Sequence, residues 1–163
     1  MTEPYIYLDS DVEREQLISE MVQVRRAVIA LVQAVPESAH FEPRYDKHSL
    51  AALLGYLNLM DNAHMLLVKA ALLGIRPAIS LRWMQGFAAQ MFRKRLVNVS
   101  LTSIQKNEQR IGDFIRRLPM SKFSTQVYDP TGESFITVER ALQQFFLHQW
   151  QAHLQTMREV EQR

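Results

Sequence analysis

Three histidines lie in stretches with a helical pattern, and imidazole is the side chain best suited here to proton transfer or metal binding. His64 lies in the second long stretch, and His148 and His153 lie in the last. A chelating pair on one helix needs a spacing of four residues, because four residues return to the same face. The spacing of five between His148 and His153 leaves their rings about 140° apart. They cannot hold one ion unless a π-bulge absorbs the extra residue.

Two further polar residues, and His64 itself, leave alternatives open. Asn107 and Glu108 interrupt the apolar stripe of the third long stretch. Either residue could point into the core toward the histidines, or the helix could be rotated so that both are solvated. A single histidine on an apolar stripe, such as His64, is a metal ligand in one interpretation and a hydrogen-bonded core residue in the other.

Four long amphipathic helices must position these side chains. Apolar residues recur at spacings of three and four, which is the pattern of one helix face. We predict helices near residues 11–35, 49–74, 101–118 and 137–160. Ser49 is the expected N-cap of the second helix. Thr102–Gln105 forms a capping-box pattern at the start of the third helix.

The connections predict the rest of the architecture. Residues 78–99 are expected to hold a shorter helix within a long crossover, and the turn signal Asp129–Gly132 predicts a small hairpin. The sequence therefore predicts an all-α, up-down-up-down four-helix bundle with a short extra helix and a hairpin in its connections. We expect one domain over residues 11–163, preceded by a flexible tail over residues 1–10.

Composition narrows the class of protein. The chain has 163 residues, of which 47% are hydrophobic and 22% charged, and it contains no cysteine. Disulfides, thiolate zinc ligands and a cysteine nucleophile are therefore excluded. No apolar stretch approaches the roughly 20 residues that span a bilayer, and no signal peptide is recognisable. We therefore expect a cytoplasmic protein without a membrane partner. The basic residues are scattered rather than interleaved with aromatics, so we expect no nucleic-acid partner either.

Two segments carry a resemblance to a known family. His48–Leu57, with its Ser-Leu-Ala-Ala-Leu-Leu core, resembles the segment that opens helix two in the DinB/YfiT-like superfamily. Thr137–His148 resembles the beginning of that superfamily's last helix. The lengths of the intervening helix and loop also agree, so the resemblance spans nearly the whole chain and implies the superfamily's bundle fold.

The resemblance also implies where a metal site would lie. In that superfamily a divalent metal is bound by one histidine on helix two and by an i,i+4 pair on the last helix. Carried over to this sequence, the three positions are Tyr56, His148 and Ala152, and the superfamily's following glutamine appears as Gln155. On this correspondence the triad is incomplete, because only His148 is a histidine.

A one-residue shift of the last helix gives a second correspondence. The pair would then be Gln149 and His153, again with one histidine lost. Zinc and nickel bind neutral imidazole well, whereas a tyrosine must ionise from a pKa near 10 to become a ligand. Members with the complete triad resemble thiol-dependent S-transferases, and others resemble metal-dependent isomerases or hydrolases.

These observations lead to one principal interpretation and one rival, with a purely structural dimeric partner protein as a third class that stays open. The first is a metal-free, non-catalytic bundle that binds a small molecule in a pocket lined by Tyr56, His64 and His148, near Ala152 and Gln155. The alternative is a thiol S-transferase or hydrolase whose zinc or nickel ion is held by His64, His148 and Glu108. The sequence leaves open whether the protein is an enzyme.

A surplus of large apolar side chains in the crossover predicts self-association. Trp83, Phe87, Met91 and Phe92 supply more apolar surface than a connecting segment needs to bury. We therefore expect a homodimer.

Overall fold

A computed structural model describes residues 5–163 and shows a helical bundle with one small hairpin. The elements follow in the order α1 (Asp11–Ala34), α2 (Leu50–Leu72), α3 (Trp83–Met91), α4 (Val97–Arg117), β1 (Gln126–Asp129), β2 (Ser134–Thr137), α5 (Val138–Gln143), a π-helical segment (Gln144–His148) and α6 (Gln149–Glu161). The last three elements form one continuous last helix. The predicted four-helix bundle, short extra helix and hairpin are confirmed. No helix within residues 5–163 is long and apolar enough to cross a bilayer.

The two predicted helix starts differ in outcome. Ser49 caps α2 as expected, since its hydroxyl accepts the backbone N–H of Ala52 at 3.1 Å. The capping box predicted at Thr102 is wrong, because α4 already begins at Val97. The Thr102 hydroxyl instead donates to the carbonyl of Asn98, one turn back within the helix.

The second and third long helices, α2 and α4, run side by side in the same direction. Near the start of both, the Asn58 amide donates to the Ser100 carbonyl at 3.0 Å. Near the end of both, the Lys69 ammonium lies 5.9 Å from the centre of the Phe114 ring. Parallel neighbours need a long connection, which the crossover containing α3 provides.

The last helix runs opposite to α2. Tyr56, early in α2, contacts His153 late in the last helix, whereas His64, further along α2, stacks on Phe145 near its beginning. Sequence order therefore rises along one helix as it falls along the other.

The first long helix, α1, runs opposite to α4. Arg14 at its start donates to the carbonyl of Leu118, just past the end of α4. Val32 at its other end shares an apolar cluster with Val97 at the start of α4. The four long helices are therefore oriented up, down, down and up, rather than in the alternating order expected from the sequence.

A polar layer divides the core at the middle of the bundle. One apolar cluster fills the end that holds Met21, Met65 and Ile111, and a second fills the end that holds Val28 and Leu54. The buried polar side chains between them are Arg25, Asn58, Asp61 and Asn107.

The residues before α1 are attached to the bundle. The Gln143 side chain accepts the backbone N–H of Ile6 at 2.8 Å and donates to the carbonyl of Ile6 at 2.9 Å. Glu139 accepts the N–H of Leu8, whose side chain is fully buried in the core. The flexible tail expected over residues 1–10 does not describe residues 5–10, and residues 1–4 lie outside the described part.

The hairpin forms as its turn signal predicts. β1 pairs antiparallel with β2, with Gln126 opposite Thr137 and Asp129 opposite Ser134. The Asp129 carboxylate accepts the backbone N–H of Thr131 at 3.0 Å, which holds the turn between the strands. The turn residues Pro130 and Thr131 line a cavity together with side chains of α2 and α3.

Candidate functional site

His64 is a core histidine. Its side chain is 1% exposed and its ring stacks on Phe145 with a centroid distance of 4.1 Å and an interplanar angle of 9°. Burial lowers the pKa of His64 to about 3. Its Nε2 atom has no hydrogen-bond partner within residues 5–163. The ring is therefore neutral at physiological pH and acts as part of the apolar packing.

His148 faces α1 and the segment before it rather than α2. Its ring lies 5.3 Å from the ring of Tyr5. A cavity of about 260 Å³ beside it is lined by Leu17, Glu20 and Gln143 among others. His148 is therefore separated from the side of the last helix that meets α2.

Tyr56 and His153 meet between α2 and the last helix. Their rings are in edge-to-face contact with a centroid distance of 5.9 Å. Burial raises the pKa of Tyr56 and lowers the pKa of His153, so both groups are neutral at pH 7. Tyr56 also lines a cavity of about 460 Å³, together with Met60, Arg82 and Thr131. This cavity lies between α2, the start of α3 and the turn of the hairpin.

Gln149 completes the polar group beside this cavity. It lies four residues before His153 in the regular α-helical part of the last helix, so both side chains share one face. Its amide donates to the hydroxyl of Thr131 at 3.2 Å. The i,i+4 pair on the side of Tyr56 is therefore Gln149 and His153, which is the second of the two correspondences considered from the sequence.

The π-helical segment explains why the first correspondence is displaced. A π turn contains one residue more than an α turn, and the Gln149 N–H bonds the carbonyl of Gln144, five residues back. Residues after this turn are rotated by one position relative to an uninterrupted α-helix. Ala152 and Gln155 are consequently exposed, and the amide of Gln155 bonds Glu159. The π turn ends at His148 and the chain from Gln149 onward is regular α-helix, so no extra residue lies between His148 and His153 to bring them together.

Glu108 is half-buried on α4. Burial raises the pKa of its carboxyl, and the positive charges of Arg25 and Arg26 partly oppose that effect. The structure does not assemble the alternative metal set of His64, His148 and Glu108. No group of three or more His, Asp or Glu side chains within residues 5–163 is placed to hold a metal ion.

The polar group at Tyr56 is a poor fit for the metal that the superfamily resemblance implies. A catalytic zinc-type site uses three protein ligands and one open position. Here one neutral imidazole, His153, stands with a phenol whose pKa is raised and with the amide of Gln149. A neutral phenol and an amide are weak ligands for zinc or nickel.

A buried ion pair that was not predicted from the sequence lies next to this region. The Arg25 guanidinium bonds both Asp61 oxygens, at 2.6 and 2.9 Å, and lies 3.9 Å from the Trp150 ring centroid. The Trp150 indole N–H also donates to Asp61, at 3.0 Å. A signal existed: Arg25 continues the buried spacing between Met21 and Val28, where an uncompensated charge would be costly.

The fold and this site define the molecule as a four-helix bundle with parallel middle helices and a polar pocket between α2 and the hairpin. Its fold is that of YfiT from Bacillus subtilis, described as a probable metal-dependent hydrolase with an unusual four-helix bundle topology. The TM-score is 0.77 at 19% sequence identity, over 98% of this chain and 91% of the other. Neither a family model nor a curated protein sequence matches the chain.

Proposed function

We propose that this YfiT-like bundle binds a small, mainly uncharged molecule in the cavity beside Tyr56, without a resident metal ion. The observation that carries the proposal is the contact between Tyr56 and His153. It stands where α2 and the last helix face each other, the region to which the resemblance assigns the superfamily's metal. A phenol and a single imidazole favour hydrogen bonding to a ligand over chelation of an ion.

The cavity has the dimensions and lining of a ligand site. Its volume of about 460 Å³ falls within the roughly 300–1,000 Å³ of small-molecule pockets. Met60 and Leu81 supply apolar wall, while Gln85 and Thr131 supply polar groups. Arg82, which also lines the cavity, is already paired with Glu133 at 3.0 Å, and this pairing favours an uncharged ligand.

The alternative is a metal-dependent hydrolase or thiol S-transferase, which the description of YfiT and the superfamily resemblance both favour. It requires ligands beyond those that face Tyr56, such as His64, His148 and Glu108. His64 argues against this set, because it is stacked within the core and would have to leave Phe145 to reach an ion. A cytoplasmic location remains a prediction of the sequence in either case.

Metal analysis separates the two functions. The protein is purified without chelators and without a metal-affinity tag, and its zinc and nickel contents are measured. The proposal expects far less than one ion per chain and only weak binding in calorimetric titration. Tight one-to-one binding would overturn it in favour of the hydrolase or transferase.

A fragment screen tests the binding itself. Neutral aromatic and amide fragments are screened by ligand-observed NMR against the parent protein and against Tyr56→Trp, which enlarges the side chain at the cavity. Fragments should bind the parent and be lost from this variant. Tyr7→Trp makes the same change at a side chain that is 76% exposed and should leave binding intact. Failure to find any fragment with this pattern would count against the proposal.

A further inference from the structure

A second groove lies on another face of α2, against α4. Its volume is about 300 Å³. Both helices contribute polar residues to it at spacings of three and four, which places them on the facing sides of the parallel pair. The polar side chains that matter are Asn58, Asn62, Arg95, Lys106, Asn107 and Arg110.

The charged side chains that line this groove are Arg95, Lys106 and Arg110, and all three are positive. Within residues 5–163 no acidic side chain lines it. None of the three forms an ion pair with a carboxylate within residues 5–163, unlike Arg25, Arg44, Arg82 and Arg116 elsewhere in the fold. Three cations gathered without a counter-charge repel one another, and an anion between them would remove that repulsion.

Two buried amides line the groove below these cations. Asn58 and Asn107 are each 6% exposed. The Asn107 amide donates to the side-chain oxygen of Asn58 at 3.4 Å, which is longer than an ordinary N–H···O hydrogen bond. Each amide nitrogen carries two protons, and the bonds formed here use one of each. Both side chains are therefore amide donors in the wall of the groove.

Arg95 is held in place before any ligand arrives. Its guanidinium donates to the Ser103 hydroxyl at 3.2 Å and lies 5.3 Å from the centre of the Phe92 ring. The Phe92 ring in turn occupies the space where a side chain at Gly55 would be, since a Cβ there would lie 2.3 Å from it. A positioned guanidinium loses little conformational entropy when it binds an anion.

We propose that this groove binds a phosphoryl group of a small molecule. Three cations and two amide donors match the charge and the several acceptor oxygens of a phosphate better than they match a single carboxylate. The groove is too small for a nucleic-acid duplex and holds its positive charge in one compact group. The site is separate from the cavity beside Tyr56, because the two line different faces of α2.

Phosphate titration followed by NMR tests the assignment. Inorganic phosphate and pyrophosphate are added to the full chain, and the side-chain amide resonances of Asn58 and Asn107 are followed. Both should shift in a saturable way, and acetate should bind more weakly than phosphate. Replacing one cation, as in Arg110→Gln or Lys106→Gln, should weaken pyrophosphate binding roughly tenfold or more.

Matched variants decide between a specific site and general charge. Arg117→Gln removes one exposed positive charge from the same helix outside the groove and should leave the affinity unchanged. If Arg117→Gln weakened pyrophosphate binding as much as the groove variants do, the proposal would be overturned. It would also be overturned if duplex DNA bound more tightly than pyrophosphate and lost that binding in Arg110→Gln. Lys106 and Arg110 are exposed, so circular dichroism should show an intact fold in their variants. Tyr56→Trp should not affect pyrophosphate, which keeps this test independent of the proposed ligand cavity.

Discussion

The Arg25 guanidinium and the Asp61 carboxylate form a two-pronged ion pair across the middle of the bundle, and both side chains are at most 1% exposed. The pair joins α1 to α2, and the Trp150 indole adds a bond from the last helix. Three of the four long helices therefore meet at one carboxylate. This arrangement fixes how the helices are rotated, since Asp61 must point at both partners.

Removing one member of this pair should strongly destabilise the protein. Asp61→Leu leaves the guanidinium buried and unpaired, so we expect a loss of about 3–5 kcal/mol in the free energy of unfolding. The double variant Arg25→Met/Asp61→Leu removes both charges, so its free energy of unfolding should fall by less than that of Asp61→Leu alone. Urea denaturation monitored by circular dichroism gives all three values.

An exposed ion pair provides the comparison. Arg116 and Glu15 are about half exposed, so Glu15→Ala should cost no more than about 1 kcal/mol. If Asp61→Leu costs as little as Glu15→Ala, the central pair does not hold the helices in the way described.

Two substitutions should create a metal site at Tyr56. The position on the last helix at which the added histidine works identifies the register of that helix. Tyr56→His with Gln149→His would place three imidazoles together with His153, which is the ligand number of a catalytic zinc site. We expect this variant to bind one zinc or nickel ion per chain in calorimetric titration. The parent protein should bind weakly.

The control places the second histidine one turn after His148 instead. Ala152 is exposed on the outer side of the last helix, so Tyr56→His with Ala152→His should bind no better than Tyr56→His alone. Stronger binding by the Ala152 variant than by the Gln149 variant would show that the register assigned to the last helix is in error.

Burial of His64 should make the fold sensitive to acid. The unfolded chain protonates this residue below a pKa of 6.5, whereas the folded protein keeps it neutral down to about pH 3. Unfolding therefore takes up a proton, and this stabilising contribution, fully present above pH 6.5, is lost as the pH falls toward 3. Between pH 6.5 and 5, the free energy of unfolding of His64→Leu should fall by roughly 2 kcal/mol less than that of the parent protein.

Urea midpoints measured across this pH range test the expectation. The lowered pKa of His153 acts in the same direction and remains in the variant, so some acid sensitivity should persist. His48→Gln removes a histidine outside the core and is measured alongside as the matched control. An unchanged slope in His64→Leu would mean that His64 does not remain neutral when folded.

The outer face of α3 should mediate a homodimer. Trp83, Phe87 and Met91 lie on this face and are 62%, 43% and 61% exposed, respectively. Phe92, also expected to contribute, is instead partly buried against Gly55. Light scattering at micromolar concentration should give twice the chain mass, and Trp83→Ser with Met91→Ser should give the monomer mass. A monomeric parent protein would contradict the prediction.

Features with local physical causes could be predicted from the amino-acid sequence. The long helices follow from apolar residues at spacings of three and four, which only a helix can bring to one face. The cap at Ser49 and the turn at Asp129–Gly132 likewise depend on bonds between residues a few positions apart. These elements appear in the structure close to where the pattern predicts them.

The candidate site depends on helix geometry and long-range packing that local sequence patterns do not reveal. The π turn at Gln144–His148 adds one residue to the last helix, and no local pattern distinguishes it from an α turn. That single residue turns Gln149 and His153, instead of His148 and Ala152, toward Tyr56. The parallel course of α2 and α4, which forms the basic groove, likewise depends on packing between helices distant in the sequence. The pairing of Arg25 with Asp61 also depends on packing between distant parts of the sequence. Helix periodicity buries the charge of Arg25, and only a contact with another helix can compensate it.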